Sequence, residues 1–314
     1  MTPILCTSYG SNNSKKGIAI ITREAEQYVT SLLPLPGKCN FAIEQDGILY
    51  VPVQTESPIL MEFLHDGTTY SLLGAYPVSH FYSHGVFFQG SLILASFSDG
   101  VDAIYDVGSH REIDVFLHER EGYSITGRSH YVGVTPDHNH VYSVDNALQQ
   151  IQIYEVKEGR LVVVSTMEFG DENIRLMPQS HYSDRFYLNT EISNKLYVLR
   201  YENMAFSVEY EEPMEHSDKC FSGGNGISED GTHLVITLRG DNFLQYYRIE
   251  KDGSLKLLAR IPCGEMPRDV LFHKDRLYVA CTGKNAVEVY RFESEMPIHD
   301  TDIPIAQPIT FAVR

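Results

Sequence analysis

The chain has 314 residues, 43% of them hydrophobic, with 20 Tyr, 15 Phe and no Trp. It carries 42 Asp and Glu against 25 Lys and Arg, a formal net charge of −17. That balance excludes nucleic acid and anionic membrane surfaces as expected partners, because both demand a basic face. It does not exclude a small anion held by a few local arginines at short range. A short apolar pulse rich in β-formers recurs seven times, about every 45 residues. In chain order the pulses are Ile4-Leu5, Leu49-Tyr50-Val51, Leu92-Ile93-Leu94, Val141-Tyr142-Ser143, Phe186-Tyr187-Leu188, Leu234-Val235-Ile236 and Leu277-Tyr278-Val279.

Each pulse is read as the inner strand of a four-stranded unit. Turn signals precede it, among them Gln45-Asp46-Gly47, Pro136-Asp137-His138-Asn139 and Glu229-Asp230-Gly231. Small or polar connectors follow it, such as Ser98-Asp99-Gly100, Asp145-Asn146-Ala147, Arg239-Gly240-Asp241-Asn242 and Thr282-Gly283-Lys284-Asn285. An alternating strand comes next, as in Ile151-Gln152-Ile153-Tyr154 and Ala286-Val287-Glu288-Val289-Tyr290. Helical periodicity is missing. A repeat of this length with several short strands per unit predicts an all-β, seven-bladed β-propeller forming one domain over residues 1–314. The first unit lacks a strand, and the alternating tail from Pro308 to Arg314 is expected to complete it and so remove an open sheet edge.

The N-terminus has neither the basic start nor the apolar run of a signal peptide, and no apolar run reaches the length of a membrane span. The five cysteines (Cys6, Cys39, Cys220, Cys263, Cys281) are odd in number and lack C-x-x-C spacing, which predicts reduced, mostly buried thiols and a cytoplasmic protein. No metal site is expected. His80 and His84 have ligand spacing only on a helix, and the region reads as strand and loop. The glycine-rich Gly223-Gly224-Asn225-Gly226 precedes no helix that could hold a phosphate, and no G-x-S-x-G elbow is present. No cofactor is implied.

Several phrases resemble the lactonase family of seven-bladed propellers, which includes cycloisomerase-type 6-phosphogluconolactonases and carboxy-muconate lactonizing enzymes. Asn225 through Asn242 is similar to the family's S-P-D-G…S-N-R-G-H-N blade and places Arg239 on its site arginine. Met266-Pro267-Arg268-Asp269 resembles W-P-R. Ser129-His130 through Asp137 is similar to H-x-H-S-V…T-P-D, with His130 on the second histidine and Arg128 in place of the first. Asp145 falls on the aspartate of V-D-L-G, and Asn189-Thr190-Glu191 resembles V-N-E. The family's G-P-R-H is here Met177-Pro178-Gln179-Ser180, so an arginine and a histidine are lost unless Arg175 or His181 replaces them.

Opening a lactone needs a polarised carbonyl, a delivered water and a proton moved to the ring oxygen. The resemblance therefore implies His130, Glu191 and Arg239 as catalytic residues gathered at one channel mouth. Arg239 polarises the carbonyl or binds the acidic group, and Glu191 or His130 activates water. Arg268 and Gln179 orient the substrate, with Asp145, His80 and Glu56 as further binding candidates. The expected activity is metal-independent hydrolysis of a sugar-acid or carboxylated lactone. Alternatives are the reverse cycloisomerisation and a non-catalytic propeller that binds a ligand or partner protein. Substrate and oligomeric state are not legible.

Overall fold

The computed structural model describes residues 3–11, 15–170 and 176–312, and of residues 176–182 the backbone only. The chain is an all-β, seven-bladed β-propeller of seven four-stranded sheets. Sheets 2 to 7 follow chain order over residues 43–77, 84–117, 129–168, 176–213, 221–262 and 267–304. Sheet 1 has the order Pro308–Phe311, Ile4–Ser8, Gly17–Glu24, Gln27–Pro34, so its first strand comes from the tail. Val313 and Arg314 lie outside the described residues.

The pulses are the second strand of each sheet, not the innermost as the sequence suggested. Second strands are hydrogen-bonded on both edges and covered on both faces, as in the all-buried Val141–Asp145 and the largely buried Ile48–Val53 and Arg276–Cys281. That environment demands a near-continuous apolar run. The fourth strand is the exposed edge; Arg111–Leu117 alternates between exposed and half-buried. Hairpin turns carry the residues their geometry needs. Asp46 and Gly47 both take positive φ, 53° and 76°, and so do Glu158 and Gly159.

The sheets group into two compact units. One contains sheets 1, 6 and 7 and most of sheet 5; the other contains sheets 2, 3 and 4 with residues 200–207. Within each unit, first strands of neighbouring sheets lie side by side: sheet 6 against 7 and 7 against 1, sheet 2 against 3 and 3 against 4. Those contacts mark the first strands as the inner edge.

Sheet 1 depends on its borrowed strand. Cys6 pairs with Phe311 and Ser8 with Pro308, and the side chains of Ile309 and Phe311 are buried. Sheet 7 grips the same strand, since Asp269 Oδ2 accepts the Phe311 N–H at 2.8 Å. Burial outweighs the backbone hydrogen bonds from Phe311 and Val270 and pushes the Asp269 carboxyl up to about 6. In the other unit a polar network joins sheets 3 and 4. His118 is fully buried, with Nε2 2.7 Å from Asp102 Oδ2 and Nδ1 3.0 Å from Asp145 Oδ2. Tyr154 donates to Asp102 at 2.9 Å, and Ser129 Oγ donates to Asp102 at 2.5 Å. Burial alone would push the imidazole down. The two carboxylates outweigh it and hold the His118 pKa up at about 10.

Three stability measurements check this architecture. Phe311→Ala should cost about 3–5 kcal/mol, as for other buried aromatics, and deleting residues 308–314 should lower the melting temperature further; an unchanged melting curve would refute the closure. The folded state holds the Asp269 proton more tightly than the unfolded chain, whose carboxyl titrates near about 3.9. The stabilisation from this group is therefore full below that value and lost as pH rises through about 6. Asp269→Asn should show no such loss, so melting profiles of the two proteins should diverge between these pH values; parallel profiles would contradict the assignment. His118→Gln leaves two buried carboxylates uncompensated and should cost about 3–5 kcal/mol in urea unfolding at pH 7. Because the His118 pKa is raised, the wild-type advantage should persist at low and neutral pH and fade as pH rises through about 10.

Candidate functional site

The first unit brings together Glu191, Arg239 and Arg268. Arg239 closes the second strand of sheet 6, His233–Arg239, and Glu191 follows the second strand of sheet 5, Arg185–Thr190. Arg239 Nη2 donates to Glu191 Oε1 at 2.8 Å and to the Ser222 carbonyl at 2.7 Å. Both Nη2 hydrogens are thereby used. Nε is buried, and Nη1 makes no hydrogen bond to the described residues. Arg268 is the extra residue of a β-bulge, because Pro267 pairs with Cys281 and Asp269 with Ala280. Bulges recur beside active sites, where they re-aim a side chain. Burial lowers the Arg268 pKa, and the Arg239 cation acts in the same direction against Tyr9 and Glu191. Among the described residues Arg268 has no hydrogen-bond or ion-pair partner for its side chain. Arg239 is thus paired with Glu191, while Arg268 lies in the field of both and has no partner of its own among the described residues, leaving local positive charge in an acidic chain.

A hydrogen-bond network joins the strands that carry this cluster. The buried Asn189 donates from Nδ2 to Ser222 Oγ at 2.7 Å and to Gly223 O at 2.8 Å. Ser222 Oγ donates to Thr190 O at 2.7 Å, and Asn225 Nδ2 donates to Asn189 Oδ1 at 2.6 Å. The glycine-rich stretch is explained by close approach. A Cβ on Gly224 would stand 2.8 Å from both Arg268 O and Asp269 Oδ1, and one on Gly223 would stand 2.3 Å from Thr237 Oγ1. Gln179 lies in the first strand of sheet 5, Leu176–Tyr182; its side chain, that of His181, and Arg175 lie outside the described residues.

The second unit holds the other sequence-predicted residues. His130 is the extra residue of an equivalent bulge, between the pairs Ser129–Asp145 and Tyr131–Val144. Its ring stands edge-on to Phe97 at 5.1 Å. Burial, and then the nearby His130, push His84 down to about 3. The Val132 N–H donates to His84 Nδ1 at 3.3 Å, so the neutral His84 carries its proton on Nε2. His80 Nδ1 lies 3.0 Å from Asp99 Oδ2. Glu56 is exposed on the loop after the second strand of sheet 2.

The structure gives Asp145 a different task from the substrate binding expected of it. Its residue is fully buried. Oδ1 accepts the N–H groups of Ala147 and Leu148 at 2.9 and 2.7 Å, and Oδ2 accepts that of Arg128 at 2.8 Å beside His118. No oxygen remains for a ligand. His118 and Asp102, which complete this network, escaped the sequence reading because their partners lie in different strands and loops. Asp269 escaped it too: it stands next to Arg268, but its surroundings come from Phe311 and Gly224. One acidic group, Glu288 with His299 and Asp302, has its atoms close enough for a cation, yet Lys284 Nζ already sits 2.6 Å from Glu288 and 2.7 Å from Asp302.

Comparison with known proteins agrees with the fold and extends it. Residues 78–311 match the family described as "Lactonase, 7-bladed beta-propeller". A 6-phosphogluconolactonase of Bacillus subtilis (strain 168) is 25% identical over 189 residues, covering 57% of this chain and 52% of that protein. The chain thus spans about half the length of the curated relatives it matches. The periplasmic gluconolactonase of Pseudomonas aeruginosa superposes with a TM-score of 0.84 at 14% identity, over 98% of both chains. A protein from Lactobacillus plantarum superposes at 0.88 with 17% identity, covering 99% of this chain and 98% of the other. At such identities these two structures show the fold alone. The family match covers well over half of the sequence, and the chain belongs to the lactonase family of seven-bladed β-propellers.

Proposed function

We propose that the protein hydrolyses a lactone bearing an acidic or polyhydroxylated substituent, with Arg239, Glu191 and Arg268 as its working residues. The observation that carries this reading is the Arg239–Glu191 ion pair with a second guanidinium, Arg268, that has no ion-pair partner among the described residues. Such a group lacks one negative charge, and an oxyanion or a substrate carboxylate supplies it. Family membership, and the names borne by the Bacillus subtilis and Pseudomonas aeruginosa proteins, point to the same chemistry.

In this reading Arg239 turns its Nη1 hydrogens on the lactone carbonyl, and Arg268 holds the acidic substituent. Glu191, kept close by Arg239, takes a proton from water as the oxygen of that water bonds to the carbonyl carbon. The negative charge that forms on the carbonyl oxygen lies against the arginine, which needs no reorganisation to receive it. Collapse breaks the ring carbon–oxygen bond, and the departing ring oxygen takes the proton back from Glu191, leaving a hydroxy acid. Glu191 rather than His130 takes this role because it lies 2.8 Å from the polarising arginine.

The test is a pH-indicator assay over a panel of aldonic and carboxylated lactones, read against spontaneous hydrolysis. Arg239→Ala should lower kcat/KM by about 10²–10³, the usual loss for one oxyanion donor. A variant with undiminished turnover would remove Arg239 from the mechanism. Wild-type protein with no rate above background on any lactone would leave the ligand-binding propeller as the better reading.

A further inference from the structure

A second cationic feature, in the other unit, is not used by the proposed hydrolysis. Beside the first strand of sheet 4 lies a cavity of about 1050 Å³, lined by Ser98, Tyr123, Ser124, Thr126, Arg128 and Gln149 among others. Ligand pockets commonly measure about 300–1,000 Å³, so this space takes a small molecule. Its lining combines the hydroxyls of Ser98, Tyr123, Ser124 and Thr126, one amide and a single guanidinium with the apolar Ile125 and Ala147.

Among the described residues Arg128 forms neither an ion pair nor a side-chain hydrogen bond, and its contact is with the ring face of Phe97, 5.3 Å away. Most other described arginines have a carboxylate, including Arg120 with Glu168, Arg185 with Glu209, Arg239 with Glu191 and Arg248 with Glu295. In a chain with 42 acidic and 25 basic residues, a half-buried arginine without a counter-charge is unusual.

The backbone that presents Arg128 is also preorganised. Its N–H donates to the buried Asp145 carboxylate at 2.8 Å, and its carbonyl accepts the Asn146 N–H at 2.9 Å. Gly127 lies flush on the same buried network: a Cβ there would meet Asp145 Oδ2 at 2.7 Å and His118 Cβ at 2.8 Å. Arg120 anchors the far end of the loop, donating to Leu148 O at 2.7 Å and to Phe169 O at 3.0 Å, with its guanidinium over Tyr123 at 4.4 Å. Fixing a donor before the ligand arrives removes much of the ordering cost of binding. The His130 ring meets the same phenyl group edge-on at 5.1 Å.

We infer that this cavity is an anion-recognition site in which Arg128 binds the carboxylate or phosphate of a polyhydroxylated small molecule, while Ser98, Ser124, Thr126 and Gln149 meet its hydroxyls. Its readout is binding and needs no turnover, so it stands or falls apart from the lactonase reading.

The experiment is isothermal titration of the full chain with gluconate, glucose 6-phosphate and glucose, probes that share hydroxyls and differ in the anion. The wild-type protein should bind at least one of the two anions more tightly than glucose. Arg128→Gln should weaken that anion at least about tenfold, the scale of one charge-assisted hydrogen bond, and leave glucose unchanged. Arg128→Lys should retain part of the affinity, which also answers whether Arg128→Gln fails only through misfolding. Arg160→Gln, at an exposed hairpin tip, should match wild type. Equal affinity for glucose and both anions, no measurable binding of any probe, or an equal loss of glucose in Arg128→Gln would overturn the inference. Arg128-dependent binding without lactone turnover would sink the hydrolysis proposal and leave this one standing.

Discussion

Within each unit, the first strand of one sheet packs against the first strand of the next instead of hydrogen-bonding to it. That constraint decides both what the sequence places there and where chemistry is possible. Backbones must approach closely, so sheet 6 offers Gly223, Gly224 and Gly226 where any Cβ would strike the neighbouring strand. The strand of sheet 7 that they face then has room for the Asp269 carboxyl, which reaches across to the tail strand. Where the first strand meets the second, bulges at His130 and Arg268 break the regular alternation. These two bulges carry polar and cationic side chains, as expected where function competes with regular pairing.

Charge completes the account. Most of the described arginines of this acidic chain pair with a carboxylate, and two of those that do not are informative. Arg268 is held half-buried beside another arginine, and burial and that cation together lower its pKa. Arg128 is held by backbone bonds to a carboxylate that is itself committed to His118. In both cases a hydrogen-bonded neighbour, Asp145 or Asp269, fixes the surrounding backbone while the cation itself has no ion-pair partner among the described residues, which is the arrangement of a site preorganised for a ligand.

The fold was legible because its signal is local and repeated. Second strands such as Leu234 to Ile236 are buried on both faces and bonded on both edges, so they must read as apolar pulses, and Asp46-Gly47 must read as a turn. The identity of the inner strand was not legible: Phe221–Ile227 reads as a polar, glycine-rich segment because its surroundings are a neighbouring backbone rather than a side-chain core. At the site, the Glu191–Arg239 pair follows from the two motifs that carry the resemblance. Asp145 does not follow, since an aspartate ending a strand looks the same whether it faces a cavity or an imidazole supplied by a residue 27 positions earlier. Tertiary partners, absent from any local window, decide between those outcomes.

The central claim is that Arg239 and Glu191 act as one unit, and a double-mutant cycle on lactone turnover tests it most directly. Arg239→Ala, Glu191→Gln and the double variant should all lose about the same factor in kcat/KM, because removing either member disables the pair. Losses that multiply in the double variant, or a Glu191→Gln protein as active as wild type, would show that the ion pair is structural and that the chemistry lies elsewhere.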